Sequence, residues 1–304
     1  MLRQVILAAS ANHRVKALVA GAPLSRSVVR RFVAGEQTDD AVRATRALQA
    51  AGLVVSLDHL GEDTRDVVHA QATVRAYVEL LERLSADGLT AGGRAEVSVK
   101  LTAVGQVIDP ALALASARTI CAAARAAGTT VTLDMEDHTT TDATLEALEE
   151  IRTDFPTTGA VLQAYLHRTE DDCRALATPG SRIRLCKGAY REPTTVAYQG
   201  AAEVDASYGR CLAVLMDGPG YPMVATHDPK LIALAAGHGR AAGSFEFQLL
   251  YGIRPTEQRR LAAQGHTVRV YVPYGDQWYG YLMRRLAERP ANLAFFLRAL
   301  ASRS

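Results

Sequence analysis

The amino-acid sequence predicts an α/β fold, a closed (β/α)8 TIM-like barrel with an N-terminal helical arm. The arm is expected over residues 1–50 and the barrel over residues 51–304. Three observations carry this expectation. Short β-type runs alternate with helical patterns, which implies parallel strands joined by right-handed crossovers. Eight such units can be picked out, more than an open doubly wound sheet typically has. The chain of 304 residues is longer than a β/α barrel usually needs and too short for two comfortable α/β domains.

The expected strands are 53–57, 96–101, 130–133, 160–166, 182–186, 223–225, 244–250 and 267–272. Residues before the first strand read as helices. The start, Val5 to Ala9, has the look of a signal core, but Asn12, His13 and Arg14 end it and Val15, Leu18 and Val19 continue an amphipathic pattern. Over 65–87, Val67, Ala70, Val74, Tyr77, Val78, Leu81 and Leu84 fall along one helical face. Asp109 followed by Pro110 gives an N-cap and a first-turn proline, and Gly128 stops that helix before the third strand. Asp228, Pro229 and Gly237 frame a short helix after the sixth.

Composition excludes several function classes. Formal net charge is +2, with both signs mixed along the chain, so no clustered basic footprint for nucleic acid exists. Cys121, Cys173, Cys186 and Cys211 have no close spacing, which fits neither a zinc site nor a redox pair. Scattered thiols suit a reducing cytoplasm. No apolar run approaches the roughly 18 to 20 residues that span a bilayer. Phe295, Phe296 and Leu297 read first as packing of the last helix, and second as a peripheral contact at the inner face of a membrane.

Barrel enzymes draw their chemistry from strand ends and the loops after them. Near those ends the sequence places Asp58, Lys100, Asp134, Glu136, Gln163, Arg184, Lys187, Thr226, His227, Glu246, Gln248, Arg269 and Tyr271. A lone Lys or Arg on a strand is more often snorkelling or ion-paired than functional. So many polar groups converging on one end must satisfy one another or a ligand, because each charge buried unpaired costs several kcal/mol. Lys100, Arg184, Lys187, Arg284 and Arg285 outnumber the nearby Asp134 and Glu136, which favours an anionic ligand, a carboxylate or a phosphate. Arg284 and Arg285 follow the eighth strand in a helical pattern, and adjacent residues point about 100° apart. Two solvated helix charges are the default reading of such a pair.

Familiar signatures are missing. Gly237, Gly239 and Gly243 have the wrong spacing for a dinucleotide fingerprint and precede a strand instead of following one. Neither a phosphate loop nor a zinc-binding HExxH helix occurs. Asp134, Glu136, Asp137 and His138 offer metal-type ligands, but a strand-end cluster with one histidine is more often an ion-pair network. The residues alone therefore specify a barrel enzyme for a small anionic substrate.

Four segments go further in combination: Arg184-Leu185-Cys186-Lys187-Gly188-Ala189-Tyr190; Ala225-Thr226-His227-Asp228; 245–252, from Phe245 to Gly252; and 270–288, holding Tyr271, Tyr281, Arg284 and Arg285. Val97 to Leu101 and Leu133 to Glu136 are shorter matches. From about residue 50 to 295 the chain resembles the proline dehydrogenase family of flavoenzymes. The resemblance implies a barrel holding FAD without a dinucleotide-binding domain. It implies that Lys100, Arg284 and Arg285 bind the carboxylate of L-proline, and that Tyr190, Tyr271 and Tyr281 wall its ring. Asp134 and Arg184 match the family's active-site pair, the arginine lying near the reacting flavin nitrogen. Met135, Gln163, Arg184, Lys187, Gly188, Ala189, Thr226, His227 and Glu246 fall in segments that contact FAD. Cys186 stands where the family usually has an aliphatic residue and is expected to be buried and inert. The implied reaction moves a hydride from the ring carbon bonded to nitrogen, giving 1-pyrroline-5-carboxylate, with electrons passing on to a quinone. No side chain is singled out as general base, and the choice between a protein base and solvent for the amine proton stays open.

Two other classes compete. A Schiff-base lyase or aldolase of the same fold would use Lys187 or Lys100 as its amine nucleophile. A non-catalytic barrel module would bind without chemistry, although decay should have cost it several members of the polar set. A yellow protein, borohydride trapping and dye reduction with proline separate the three.

Overall fold

The computed structural model describes residues 29–282. Eight parallel strands close in sequence order, the first pairing with the last. They are β1 (Val54–His59), β2 (Ala95–Val99), β3 (Val131–Leu133), β4 (Gly159–Gln163), β5 (Arg182–Cys186), β6 (Tyr221–Ala225), β7 (Glu246–Leu250) and β8 (Thr267–Tyr274). The helices are α1 (Thr38–Ala50), α2 (Val67–Ala86), α3 (Pro110–Ala126), α4 (Thr141–Asp154), α5 (Thr169–Leu176), α6 (Ala201–Asp217), α7 (Pro229–Ala236) and α8 (Pro255–Ala263). The fold is the (β/α)8 barrel that the alternation predicts.

On β1, β2, β5, β7 and β8 apolar and polar residues alternate, and the closed barrel explains why; on β4 and β6 the inward positions Val161 and Met223 are apolar. Val55, Leu57, Val97, Val99, Ile183, Leu185, Phe247, Leu249, Val268 and Val270 point outward and are buried beneath the helices. Ser56, Asp58, Glu96, Ser98, Arg184, Gln248 and Arg269 sit between them along the strands and are also buried, so they fill the interior. Most barrel interiors are packed with branched apolar side chains; this one is packed with charge.

The expected caps Asp109 and Asp228 form, and the structure adds Asp66 as a third that the sequence reading does not name. Asp66, Asp109 and Asp228 accept N–H bonds from His69, Ala111 and Lys230 at 2.9–3.0 Å, with proline following two of them. Strand ends shift for local reasons. β4 stops at Gln163, short of 166, because its carbonyl turns to take Leu166 N–H and the Thr169 hydroxyl. β6 starts early, at Tyr221, whose N–H bonds Ser181 O at 2.6 Å. Within the expected arm, Ala41, Val42 and Ala44 of α1 join the main core, and Ala34 N–H bonds Pro273 O past the middle of β8. Residues 38–50 are thus packed as part of the barrel. No helix among the described residues is long and apolar enough to cross a membrane. Phe295, Phe296 and Leu297 lie outside the described residues.

Candidate active site

Inside the barrel the charges sort by depth. Near the amino ends, Arg269 forks onto Glu246, with Nε to Oε1 at 2.7 Å and Nη2 to Oε2 at 3.1 Å. Arg182 donates to Glu96 at 2.6 Å. Burial works against the Glu96 charge, but Arg182, Arg269 and Arg184 outweigh it and hold the carboxyl down to about 2.

One step along the strands lies Arg184. Its Nε donates to Gln248 Oε1 at 2.5 Å, Nη1 to Ser98 Oγ at 2.8 Å and Asp134 Oδ1 at 2.6 Å, and Nη2 to Ser56 Oγ at 3.3 Å. Asp134 also accepts Ser98 Oγ at 2.9 Å and the Tyr271 hydroxyl at 2.6 Å. The guanidinium carbon stands 5.3 Å from the centre of the Tyr271 ring, within cation–π range. Lys100 donates to Asp58 at 2.8 Å and lies 4.0 Å from Asp134. Burial opposes its charge, yet Asp58 and Asp134 prevail and raise its pKa above the ordinary lysine value.

A cavity of about 650 Å³ opens over these groups, within the usual size range of ligand pockets. Of the expected site residues it is lined by Lys100, Asp134, Met135, Gln163, Arg184, Lys187, Gly188, Ala189, Tyr190, Thr226, His227, Tyr271 and Tyr281. Cys186 also lines it and is only partly buried; its thiol is pushed up to about 11 by burial, which keeps it unreactive. Glu246 is the exception. It stands at the start of β7 beneath Gln248, 1% exposed and engaged by Arg269 and Gln248, and it does not reach the cavity wall. Arg284 and Arg285 lie outside the described residues. Glu62, Gln248 and Asp58 line the cavity without an assigned role from sequence; the β1–β2 pairing and the inward alternation of β7 bring the last two there.

The walls are held by local devices. Gly188 has φ +107, and a Cβ on it would sit 2.3 Å from the Tyr165 ring, so the Lys187–Tyr190 segment passes Tyr165 at backbone distance. Tyr165 in turn donates to Glu192 at 3.1 Å, which also pairs with His138 and takes its N–H at 3.0 Å. His227 Nε2 accepts Leu250 N–H at 3.0 Å, fixing the ring between β6 and β7.

Charge balance corrects one expectation. Lys100 is matched by Asp58, Arg184 by Asp134, and Lys187 by both Asp205 and Asp228 at 2.5 and 2.9 Å. Among the described residues the site has no cationic excess, so the case for an anionic ligand shifts to Arg284 and Arg285. The same pairs count against a Schiff-base lysine, which must be neutral to attack. Burial lowers the Lys187 pKa, but bonds to Asp205 and Asp228 more than restore it, and Lys100 is likewise held protonated.

The family model for proline dehydrogenase matches residues 41–298. The chain belongs to the proline dehydrogenase family. Proline dehydrogenase 1 of Bacillus subtilis (strain 168) is 38% identical over 304 residues, covering 99% of each chain. The proline dehydrogenase of Deinococcus radiodurans is 41% identical over 283 residues, covering 90% of each. Among solved structures, proline utilization A from Bdellovibrio bacteriovorus, inactivated by N-propargylglycine, matches 87% of this chain with TM-score 0.80 and 27% identity. The chain spans 33% of that longer polypeptide. The family's barrel is therefore the fold of this chain, and the cavity over Arg184 is its candidate active site.

Proposed function

We propose that the protein oxidises L-proline to 1-pyrroline-5-carboxylate with FAD and passes the electrons to a quinone. The observation that carries this reading is the Arg184–Asp134–Tyr271 cluster beneath a cavity, with Lys100 beside it, in a chain of this family.

The donor set supports a flavin. Arg184 at the cavity floor and Gln163, Lys187, Thr226 and His227 on its walls suit a ligand rich in carbonyl, hydroxyl and phosphate oxygens. With the backbone at Met135, Gly188 and Ala189, these residues would hold FAD. When bound, FAD supplies the acceptor for the hydride leaving the ring carbon bonded to nitrogen. Arg184 holds a positive charge fixed by four acceptors. A pre-oriented cation stabilises negative charge developing beside it without reorganising. An ionised carboxylate accepts about four hydrogen bonds, and Asp134 already takes three. It is thus a holder of Arg184 and Tyr271.

Lys100, Arg284 and Arg285 would clamp the proline carboxylate, and Tyr190, Tyr271 and Tyr281 would wall the ring. Fixing the carboxylate fixes the reacting carbon, the positioning contribution to catalysis. Quinones dissolve in membranes, so the protein would work in the cytoplasm and meet its acceptor peripherally at the inner face.

The deciding experiment is the visible spectrum. The purified protein is expected to be yellow and to bleach when proline is added without oxygen. A colourless protein that FAD cannot reconstitute would overturn the reading.

A further inference from the structure

Thr102 lies in the short turn Leu101–Val104 directly after β2, two residues past Lys100. Its hydroxyl donates to Glu136 Oε2 at 2.6 Å and its N–H to Oε1 at 3.2 Å, so one buried carboxylate grips it twice. On its other side the same hydroxyl oxygen accepts Asp63 N–H at 3.1 Å, and its carbonyl accepts Thr64 N–H at 3.1 Å. These amides belong to the loop between β1 and α2. There Asp63 has φ +50, a left-handed conformation that a non-glycine residue adopts uncommonly. The residue before it, Glu62, lines the cavity.

We propose that Glu136, acting through Thr102, is a positioning residue that fixes the β1–α2 loop as a wall of the active-site cavity. For the reaction this rests on the proposed proline site; for the loop it does not. The hydroxyl of Thr102 can donate to Glu136 and still accept from Asp63, and a donor chain ending on an ionised carboxylate is polarised and strengthened along its length. Protonating Glu136 removes that charge and turns one of its oxygens into a competing donor.

Glu136 is placed to make this change near neutral pH. Burial pushes its carboxyl up, Thr102 and Lys100 restrain the rise and Glu62 adds to it, leaving the group at about 7. Lys100 and Glu62 are the charged groups that act on it most strongly. Its own carbonyl is taken by Gln163 Nε2 at 2.8 Å, so its backbone is anchored whichever state the carboxyl is in. Glu136 does not itself line the cavity. The latch is therefore tight above neutrality and loose below it, with the loop as its route to the substrate.

Hydrogen exchange of the full-length purified protein tests this without reference to activity. The protection factors of the Asp63 and Thr64 amides are expected to fall at least about tenfold in Thr102→Val and to recover in Thr102→Ser. In the wild type they are expected to fall between pH 8 and pH 6, and in Glu136→Gln to be low at both. Unchanged protection in Thr102→Val, or a wild-type pH dependence kept by Glu136→Gln, would overturn the proposal. Tetrahydrofuran-2-carboxylate, a proline analogue with no amine to titrate, reads the consequence at the site. The wild type is expected to bind it roughly fivefold more weakly at pH 6 than at pH 8, the worth of one hydrogen bond, and Glu136→Gln to show no such change. A wild type that does not bind the analogue at all would sink the proline-site reading, while the exchange result still decides the latch.

Discussion

Asp134 Oδ1 accepts Arg184 Nη1 at 2.6 Å, 50 residues away in sequence, while its Oδ2 takes the Tyr271 hydroxyl at the same distance. One carboxylate thus fixes both the buried cation and an aromatic wall of the cavity.

Removing it should cost stability as well as activity. Arg184 is 5% exposed, and its next carboxylate, Glu96, is 4.0 Å away. Breaking a buried pair by deleting one partner typically costs about 3–5 kcal/mol. Asp134→Ala is expected to lose that amount in urea unfolding. Tyr271→Phe keeps the packing and should lose only about 1 kcal/mol. A loss under about 1 kcal/mol for Asp134→Ala would mean that Arg184 is compensated elsewhere.

How far the site was legible depended on depth along the strands. Period-two alternation marks Glu246 and Gln248 as sharing one face, but residues two apart sit about 6.6 Å apart along a strand. Gln248 reaches the cavity and Glu246 pairs with Arg269 below it. Nothing in a single sequence reports that offset. The matching of Lys100 by Asp58 was hidden for a related reason, since it needs the β1–β2 pairing, which sets Asp58 beside Ser98. Lys187 with Asp205 and Asp228 joins three separate segments, the end of β5, α6 and the turn after β6. By contrast, the strands themselves, the aspartate caps and the group Lys100, Asp134, Arg184 and Tyr271 were readable, because each rests on local pattern or an ordered motif.

Glu246 and Glu96 should therefore behave as stability residues. Glu246→Gln is expected to lower unfolding free energy by about 3 kcal/mol without changing flavin affinity. The acid limb that Glu96 contributes follows from sign. The Glu96 carboxyl is held below its unfolded value, so the folded state binds fewer protons than the unfolded chain in that window. Its stabilisation is complete above the ordinary glutamate range and is lost as pH falls through the folded value. Glu96→Gln should flatten the unfolding curve between about pH 5 and pH 2. Weaker flavin binding in Glu246→Gln would return that residue to the cofactor site.

Arg284 and Arg285 now carry the case for an anionic substrate, because the described cations are already paired. Arg284→Ala or Arg285→Ala is expected to weaken proline by about 1.5–3 kcal/mol, the range for a charge-assisted hydrogen bond. Proline amide, which lacks the full charge, should lose less. Equal losses on both substrates would show that these arginines do not read the carboxylate.

Tyr271 offers the sharpest test of specificity. Its ring stacks near Arg184 and its hydroxyl is committed to Asp134, so the side chain is fixed at both ends and cannot swing aside for a larger substrate. On the proposed reading it would face the ring carbon that carries the hydroxyl in 4-hydroxyproline, and the enzyme should prefer proline. Crowding of a hydroxyl by an apolar contact usually discriminates by about 10² or less. Tyr271→Ser opens that space and supplies a hydroxyl partner, so kcat/KM for hydroxyproline should rise relative to proline. Proline itself should lose about 1–3 kcal/mol, through the cavity and the missing ring contact. Tyr271→Phe separates the two roles of the side chain. It keeps the wall and breaks the bond to Asp134, so it should slow both substrates without moving their ratio. A ratio that shifts in Tyr271→Phe but not in Tyr271→Ser would show that Tyr271 acts through Asp134 and does not wall the ring.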